Sequence, residues 1–224
     1  MRKILILSFL GLIFLFIISC EMFQESVVKT QESPVIKRSG EKFGVHYLAW
    51  HDGVDAMLKP EPDSPMPNVL VHTARMVNTP LGICKGGVVL INPENKETPD
   101  FFGFVSEDTT LAKYWGPNIF RGTPIENAPI YLAEFEFNLD FPNKTAVKIM
   151  AAGHTIELEL TEFDEAIYYN RPPGMPFTQN VIEALAHKAV FKFDGEIIPG
   201  ELPLSGMAGG LPAVFAPTGI YYIE

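Results

Sequence analysis

The sequence predicts a mainly β domain, an antiparallel β-sandwich or a barrel-like sheet, with one short helix near residues 178–188. Three observations support this fold class. Short apolar or alternating segments follow one another, with turn residues about every ten positions. Residues 130–139 alternate strictly between apolar and polar side chains, which is the period of a half-buried strand. The chain shows neither an internal repeat nor a heptad pattern.

The first half of the domain begins with a predicted strand at residues 43–50, followed by a polar connection at residues 51–68. Four prolines between residues 60 and 67 exclude a helix and an interior strand, so we expect an ordered loop or a lid. Residues 69–77 alternate again and predict a second strand. The remaining elements of this half are two short buried strands, at residues 87–92 and 101–105, and a helical turn at residues 108–114 that Asp108 can cap.

A three-stranded meander is the clearest local prediction. Its strands are residues 130–139, 145–151 and 154–161. Folding the second pair about Ala152-Gly153 sets apolar residues opposite one another on one side and opposite charges on the other. The predicted cross-strand pairs are Val147 with Leu158, Ile149 with Ile156, and Lys148 with Glu157.

The predicted helix at residues 178–188 depends on an apolar stripe. Val181, Ile182 and Leu185 recur at helical spacing, Thr178 can cap the first turn, and Lys188 suits the C-terminal end. The other elements predicted for this part of the chain are a strand at residues 166–169, a hairpin of residues 190–193 and 196–198 around Asp194-Gly195, and strands at residues 212–216 and 219–223.

The first twenty residues, MRKILILSFLGLIFLFIISC, have the pattern of a secretory signal peptide. Arg2 and Lys3 precede an apolar run of about fifteen residues, which is shorter than the roughly 20 that a membrane-spanning helix needs. The ending Ile17-Ile18-Ser19-Cys20 resembles the lipobox of bacterial lipoproteins. The resemblance implies cleavage before Cys20 and acylation of that cysteine, for example with palmitate.

This resemblance implies an organisation for the whole chain. Residues 1–19 would be the signal peptide, residues 20–42 a flexible lipid-anchored tether, and residues 43–224 a single β-rich domain or two packed β modules. The acylated Cys20 would hold the domain to the lipid bilayer of the cell envelope. The domain would be extracytoplasmic, either on the periplasmic face or at the cell surface.

The charge balance limits the classes of partner that we expect the mature chain to bind. Removing the leader leaves 15 basic and 27 acidic residues, a net charge of −12. Such a chain gains nothing from counterion release on nucleic acid, so we expect no nucleic-acid partner. With Cys20 acylated, Cys84 has no partner for an intramolecular disulfide, and we expect it to be a small buried residue.

The sequence contains five histidines, so few imidazole groups could act as metal ligands or as general bases. The densest group of ligand types is His46 and His51, followed by Asp52 and Asp55, and these residues could hold zinc or act as a base with its orienting carboxylate. An odd spacing places His46 and His51 on opposite faces of one strand, so both bind one ion only if the strand ends before His51. His72 and His154 are further candidates.

No catalytic residue is predicted. Ser205 lacks the glycine two positions earlier that a nucleophile elbow requires. The acidic residues between 157 and 165 are interpreted as a solvated edge, with a calcium site as the alternative.

The favoured hypothesis is therefore a lipid-anchored lipoprotein whose domain binds or supports other components without catalysis and without a cofactor. Its partner could be an envelope protein, a surface polymer or a small ligand. The alternative is a metal-dependent enzyme or a metal-handling lipoprotein that uses His51 and Asp52 with another histidine.

Overall fold

The computed structural model of the chain describes residues 46–60, 67–171, 178–206 and 210–223. The predicted signal peptide, the lipidation site Cys20 and the predicted tether lie outside the described residues, and they stay predictions. Within these ranges, no helix has the length and apolar character needed to cross a bilayer.

The described chain consists of strands and two single-turn helices. In chain order these are β1 (His46–Leu58), β2 (Val69–Thr79), β3 (Gly82–Ile91), β4 (Phe101–Ser106), α1 (Thr109–Ala112), α2 (Trp115–Asn118), β5 (Ile130–Asp140), β6 (Lys144–Ala151), β7 (His154–Phe163), β8 (Ile167–Arg171), β9 (Thr178–Phe193), β10 (Glu196–Ile197) and β11 (Ala213–Ile223). The predicted mainly β class is confirmed.

The strands form one hydrogen-bonded network in the order β10-β9-β11-β1-β2-β3-β4-β5-β6-β7, and β8 pairs with β9 outside this path. The path closes on itself because β9 also pairs with β7. β9 meets β11 through residues 178–185 and β7 through residues 186–193. Neighbouring strands are antiparallel as predicted, except for the parallel pair β4 and β5.

The first hydrophobic core contains side chains from strands that are far apart in this order. Val71 of β2, Ile149 of β6 and Phe191 of β9 are all buried in it. These strands are far apart in the strand order, so the closed path surrounds this core. Apolar burial of this kind is the dominant favourable term in folding.

A second hydrophobic core lies on the other face of β2 and β3. Val71 belongs to the first core while its neighbour Leu70 packs against the second, and Val89 and Val88 divide in the same way. Consecutive residues of a strand point to opposite faces, so the two cores lie on opposite sides of this part of the sheet. Helix α2 covers the second core with the buried Trp115.

The predicted meander is confirmed together with its register. The observed partners include Val147 with Leu158, Ile149 with Ile156, and Lys148 with Glu157. Both predicted two-residue turns are also present. Ala152-Gly153 and Asp194-Gly195 have positive φ at both central residues, which is the requirement of a type I′ hairpin.

The predicted helix at residues 178–188 is wrong, because this segment is the first part of strand β9. Its buried positions alternate at Gln179, Val181 and Glu183, while Ile182 and Leu185 are only half-buried. The polar residues on the buried face hide the strand period and leave an apolar pattern that imitates a helix. Pairing with both β8 and β11 outweighs this local pattern.

The prediction that a loop begins at His51 is also wrong. β1 continues to Leu58, so the connection to β2 is shorter than residues 51–68. The strand passes through Asp52-Gly53 with φ of 56° at Asp52, and it keeps one continuous register with β2 on both sides of that residue. The two last predicted strands are likewise one strand, β11, whose register against β9 shifts near Pro217.

Candidate functional site

The second core contains a small aromatic cavity of about 30 Å³. Its lining includes Trp50, His72, Phe104, Trp115 and Phe120. A cavity needs roughly 10–15 Å³ to hold one water molecule, so this space has the volume of very few water molecules and is too small for an organic ligand. His72 is the titratable side chain among these residues.

His72 is held between a carboxylate and a phenol. The register of β1 and β2 sets Asp55 directly opposite His72, and the Asp55 Oδ1 atom lies 2.9 Å from the His72 Nδ1 atom. The other ring nitrogen, Nε2, lies 3.3 Å from the hydroxyl oxygen of Tyr221 on β11. Asp55 Oδ1 also accepts a hydrogen bond from the backbone N–H of Thr73, at 3.0 Å.

Burial and charge act in opposite directions on His72. Burial is the largest single effect and disfavours the imidazolium, but the charge and hydrogen bond of Asp55, together with the charge of Glu183, outweigh it and raise the pKa of His72. The His72 and Asp55 side chains are only 19% and 15% exposed, so solvent screens the pair weakly. The cluster therefore favours a proton on His72.

Trp50 packs tightly beside this cluster. Its ring centroid lies 4.5 Å from that of Tyr221 and 6.1 Å from that of His72, edge-on to the imidazole. A β-carbon at residue 219 would lie 2.2 Å from Cζ2 of Trp50, which explains why a glycine stands there. The indole Nε1 atoms of Trp50 and Trp115 are buried and have no hydrogen-bond partner among the described residues.

The geometry limits the chemistry of the cluster. Both ring nitrogens of His72 are already engaged, by Asp55 and Tyr221. A general base must be unprotonated when it abstracts a proton, whereas the raised pKa of His72 favours its protonated form. In this arrangement the cluster favours a proton on His72. The contacts of His72 with Asp55 and Tyr221 link β2 to β1 and β11.

The structure does not bring His46, His51 and Asp52 into one group. The His46 Nδ1 atom lies 3.2 Å from the Tyr114 hydroxyl, and Asp52 accepts a hydrogen bond from Arg75 Nε at 2.9 Å. His51 stands opposite Met76 and Thr218 in the sheet. Within the described ranges, no three His, Cys, Asp or Glu side chains are placed to share a metal ion. The metal alternative stays a prediction.

The sequence alone does not predict the pairing of Asp55 with His72. Asp55 follows Asp52-Gly53, a dipeptide that is a turn signal, and lies in the predicted loop of residues 51–68, whereas His72 lies in the predicted strand of residues 69–77. Extending β1 to Leu58 places both residues on neighbouring strands. The signal that could have revealed the pair is the apolar segment Ala56-Met57-Leu58, which continues β1 beyond the turn signal. His154, the remaining candidate, lies 2.8 Å from Asp194 Oδ2.

The thiol of Cys84 is buried, as predicted. Burial is the main reason that its pKa is raised, and the carboxylates of Glu107 and Asp108 act in the same direction against a hydrogen bond from Ser106. A thiolate is the reactive form of cysteine, so this residue should be inert at neutral pH.

We expect the purified full chain to show no reaction with a water-soluble aromatic disulfide reagent at pH 7 while folded. After unfolding in guanidinium chloride, one of its two cysteines should react, because Cys20 would carry its thiol in the lipid anchor. Absorbance of the released thiolate counts the reactive groups. Rapid reaction of the folded chain would contradict the burial of Cys84, and two reactive thiols after unfolding would contradict acylation of Cys20.

Three titratable side chains, Asp55, His72 and Tyr221, thus meet beside an aromatic cavity in the second core. Comparison of the chain with protein-family models, curated proteins and solved structures finds no match.

Proposed function

We propose that this chain is a lipid-anchored, extracytoplasmic protein of the bacterial cell envelope whose β domain acts by binding or as a structural component. The observation that carries the proposal is the leader that ends in Ile17-Ile18-Ser19-Cys20, which resembles a lipobox. Acylated Cys20 would become the first residue of the mature chain. The predicted tether of residues 20–42 would separate the domain from the lipid surface.

The physics of membrane attachment supports an acyl anchor. Each buried methylene contributes about 0.8 kcal/mol, so one acyl chain binds marginally and two or more bind stably. The mature chain has 15 basic and 27 acidic residues, and anionic lipid headgroups would repel it. Attachment therefore depends on the lipid at Cys20 rather than on the protein surface.

The arrangement of Asp55, His72 and Tyr221 supports a structural role for this cluster. His72 contacts Asp55 and Tyr221 through its two ring nitrogens, and a buried polar network paired in this way holds the strands in one arrangement. Two other histidines, His154 and His187, pair with Asp194 and Asp164 at exposed positions.

The two cysteines offer a matched test of the anchor. We expect the full-length chain, expressed in bacteria with labelled palmitate, to incorporate label and to begin at a modified Cys20 by mass spectrometry. Cys20→Ser should abolish labelling, whereas Cys84→Ser, which changes the only other cysteine, should leave it intact. Label on Cys20→Ser, or an unmodified Cys20 in the mature protein, would refute the proposal.

A further inference from the structure

Among the described residues, no strand pairs with one edge of β5 for most of its length. β4 pairs only with Ile130–Leu132, whereas β6 pairs with Ala133–Asp140 along the opposite edge. Among the described residues, no backbone hydrogen bond joins the free edge of Ala133–Asp140 to another segment. Every second residue of a strand directs its N–H and C=O to the same edge, so this edge presents a row of backbone groups that have no partner in the described part of the chain.

Charge alternates from strand to strand on the outer face beside this edge. One row across the sheet consists of Glu136 on β5, Lys148 on β6, Glu157 on β7 and Lys192 on β9. Lys148 Nζ lies 3.8 Å from Glu136 Oε2, and Lys192 Nζ lies 3.6 Å from Glu157 Oε2. The row ends with the negatively charged Glu136 on β5, so a basic side chain on an added strand would continue the alternation.

The outer face of β5 is acidic beyond this row. Within Ala133–Asp140, the exposed residues on this face are Glu134, Glu136, Asn138 and Asp140, and three of these four carry a carboxylate. A second copy of β5 is therefore a poor neighbour. With the apolar face kept inward, any antiparallel register that overlaps five or more residues sets two carboxylates opposite each other, which is destabilising.

The inner face of β5 is apolar and incompletely covered. Phe135, Phe137 and Leu139 are half-buried and pack against the first core. The rings of Phe135 and Phe137 stack with centroids 6.1 Å apart. An added strand would extend the sheet past these side chains, and apolar residues on its inner face would bury more of them.

We propose that the free edge of β5 binds an extended segment of a partner protein in which Lys or Arg alternates with apolar residues. The segment would add to the sheet as a strand, with its basic side chains beside Glu134 and Glu136 and its apolar side chains beside Phe135 and Phe137. Backbone hydrogen bonds would supply affinity, and the alternating side chains would supply specificity. This inference rests on the proposed binding function and names the surface and the partner class.

The test uses the full chain, purified from membranes in a neutral detergent, and a fluorescent eight-residue peptide that alternates lysine and valine. We expect saturable binding by fluorescence anisotropy, weakened by added salt because the charges are exposed. The same peptide methylated at all its backbone nitrogens keeps its charge but cannot donate to the edge. It should bind at least tenfold more weakly.

Two double variants with the same change in net charge locate the site. Glu134→Lys with Glu136→Lys should lose the lysine peptide and acquire binding of a matching peptide that alternates glutamate and valine. Glu94→Lys with Glu97→Lys, in the exposed connection between β3 and β4, should keep the original preference. Circular dichroism of both variants confirms that they are folded.

Several results would overturn the inference. Equal binding of the methylated peptide would indicate charge attraction without strand addition, and unchanged binding by the Glu134 and Glu136 variant would exclude this edge. A β5-dependent dimer in sedimentation, or peptide binding only after removal of residues 21–42, would assign the edge to a second copy or to the chain itself. Absence of binding by a chain with confirmed acylation of Cys20 would refute the inference alone, and the anchor would stand.

Discussion

Trp50→Ala should lower the free energy of unfolding by about 3–5 kcal/mol, the range found when a large aromatic side chain is removed from a core. Trp50 is 3% exposed and lies against both Tyr221 and His72. Gly219 underneath its ring has no side chain that could fill the resulting space. Denaturant unfolding followed by circular dichroism measures the change.

Two further variants show whether buried volume is responsible. Trp50→Phe keeps most of the ring and loses no hydrogen bond to a described residue, so it should cost clearly less than Trp50→Ala. Leu132→Ala removes an apolar side chain that is 68% exposed, and it should change stability by less than about 0.5 kcal/mol. Equal effects of Trp50→Ala and Leu132→Ala would contradict the tight packing around Trp50.

The parts of the fold that could be predicted are those in which local pattern and burial agree. In the meander, Val147, Ile149, Ile156 and Leu158 are apolar and buried, so the period of two in the sequence is the period of the structure. The type I′ turn at Asp194-Gly195 is encoded by two adjacent residues that tolerate positive φ. No distant contact is needed to interpret either feature.

β9 could not be predicted because its buried face is partly polar. Gln179 and Glu183 are 6% and 5% exposed, and both take part in interactions. Their burial depends on β8 and β11, which lie on either side of this part of β9. A single-sequence pattern contains neither neighbour, so apolar residues at helical spacing gave the wrong element.

The candidate site depends on register over long sequence distances. Asp55 and His72 meet because β1 pairs with β2, and Tyr221 reaches the same imidazole because β11 pairs with the other edge of β1. The sequence supplied His72 as a candidate without its partners. His46, His51 and Asp52 are close in sequence, but the structure does not bring their functional groups together. His46 contacts Tyr114, and Asp52 contacts Arg75.

Asp55→Asn should destabilise the domain and change how its stability depends on pH. The variant keeps an oxygen that can accept the N–H of Thr73, but it removes the negative charge beside His72. Loss of a hydrogen bond to a charged, largely buried partner costs about 1–3 kcal/mol. We expect a loss in this range at pH 6 in denaturant unfolding, and a smaller loss at higher pH.

The sign follows from the raised pKa of His72 in the folded state. Protonation then favours folding, so this contribution is fully present below the usual histidine value of about 6.5 and is lost as pH rises through the higher folded value. Asp55→Asn should therefore flatten the fall in stability across that window.

His187→Gln is the matched control, because it removes an exposed imidazole, 53% accessible, and leaves Asp55 and His72 in place. It should cost less than about 1 kcal/mol and keep the contribution of the Asp55–His72 pair. If the wild type and Asp55→Asn lose stability in parallel from pH 6 to pH 9, the carboxylate of Asp55 does not hold the proton on His72.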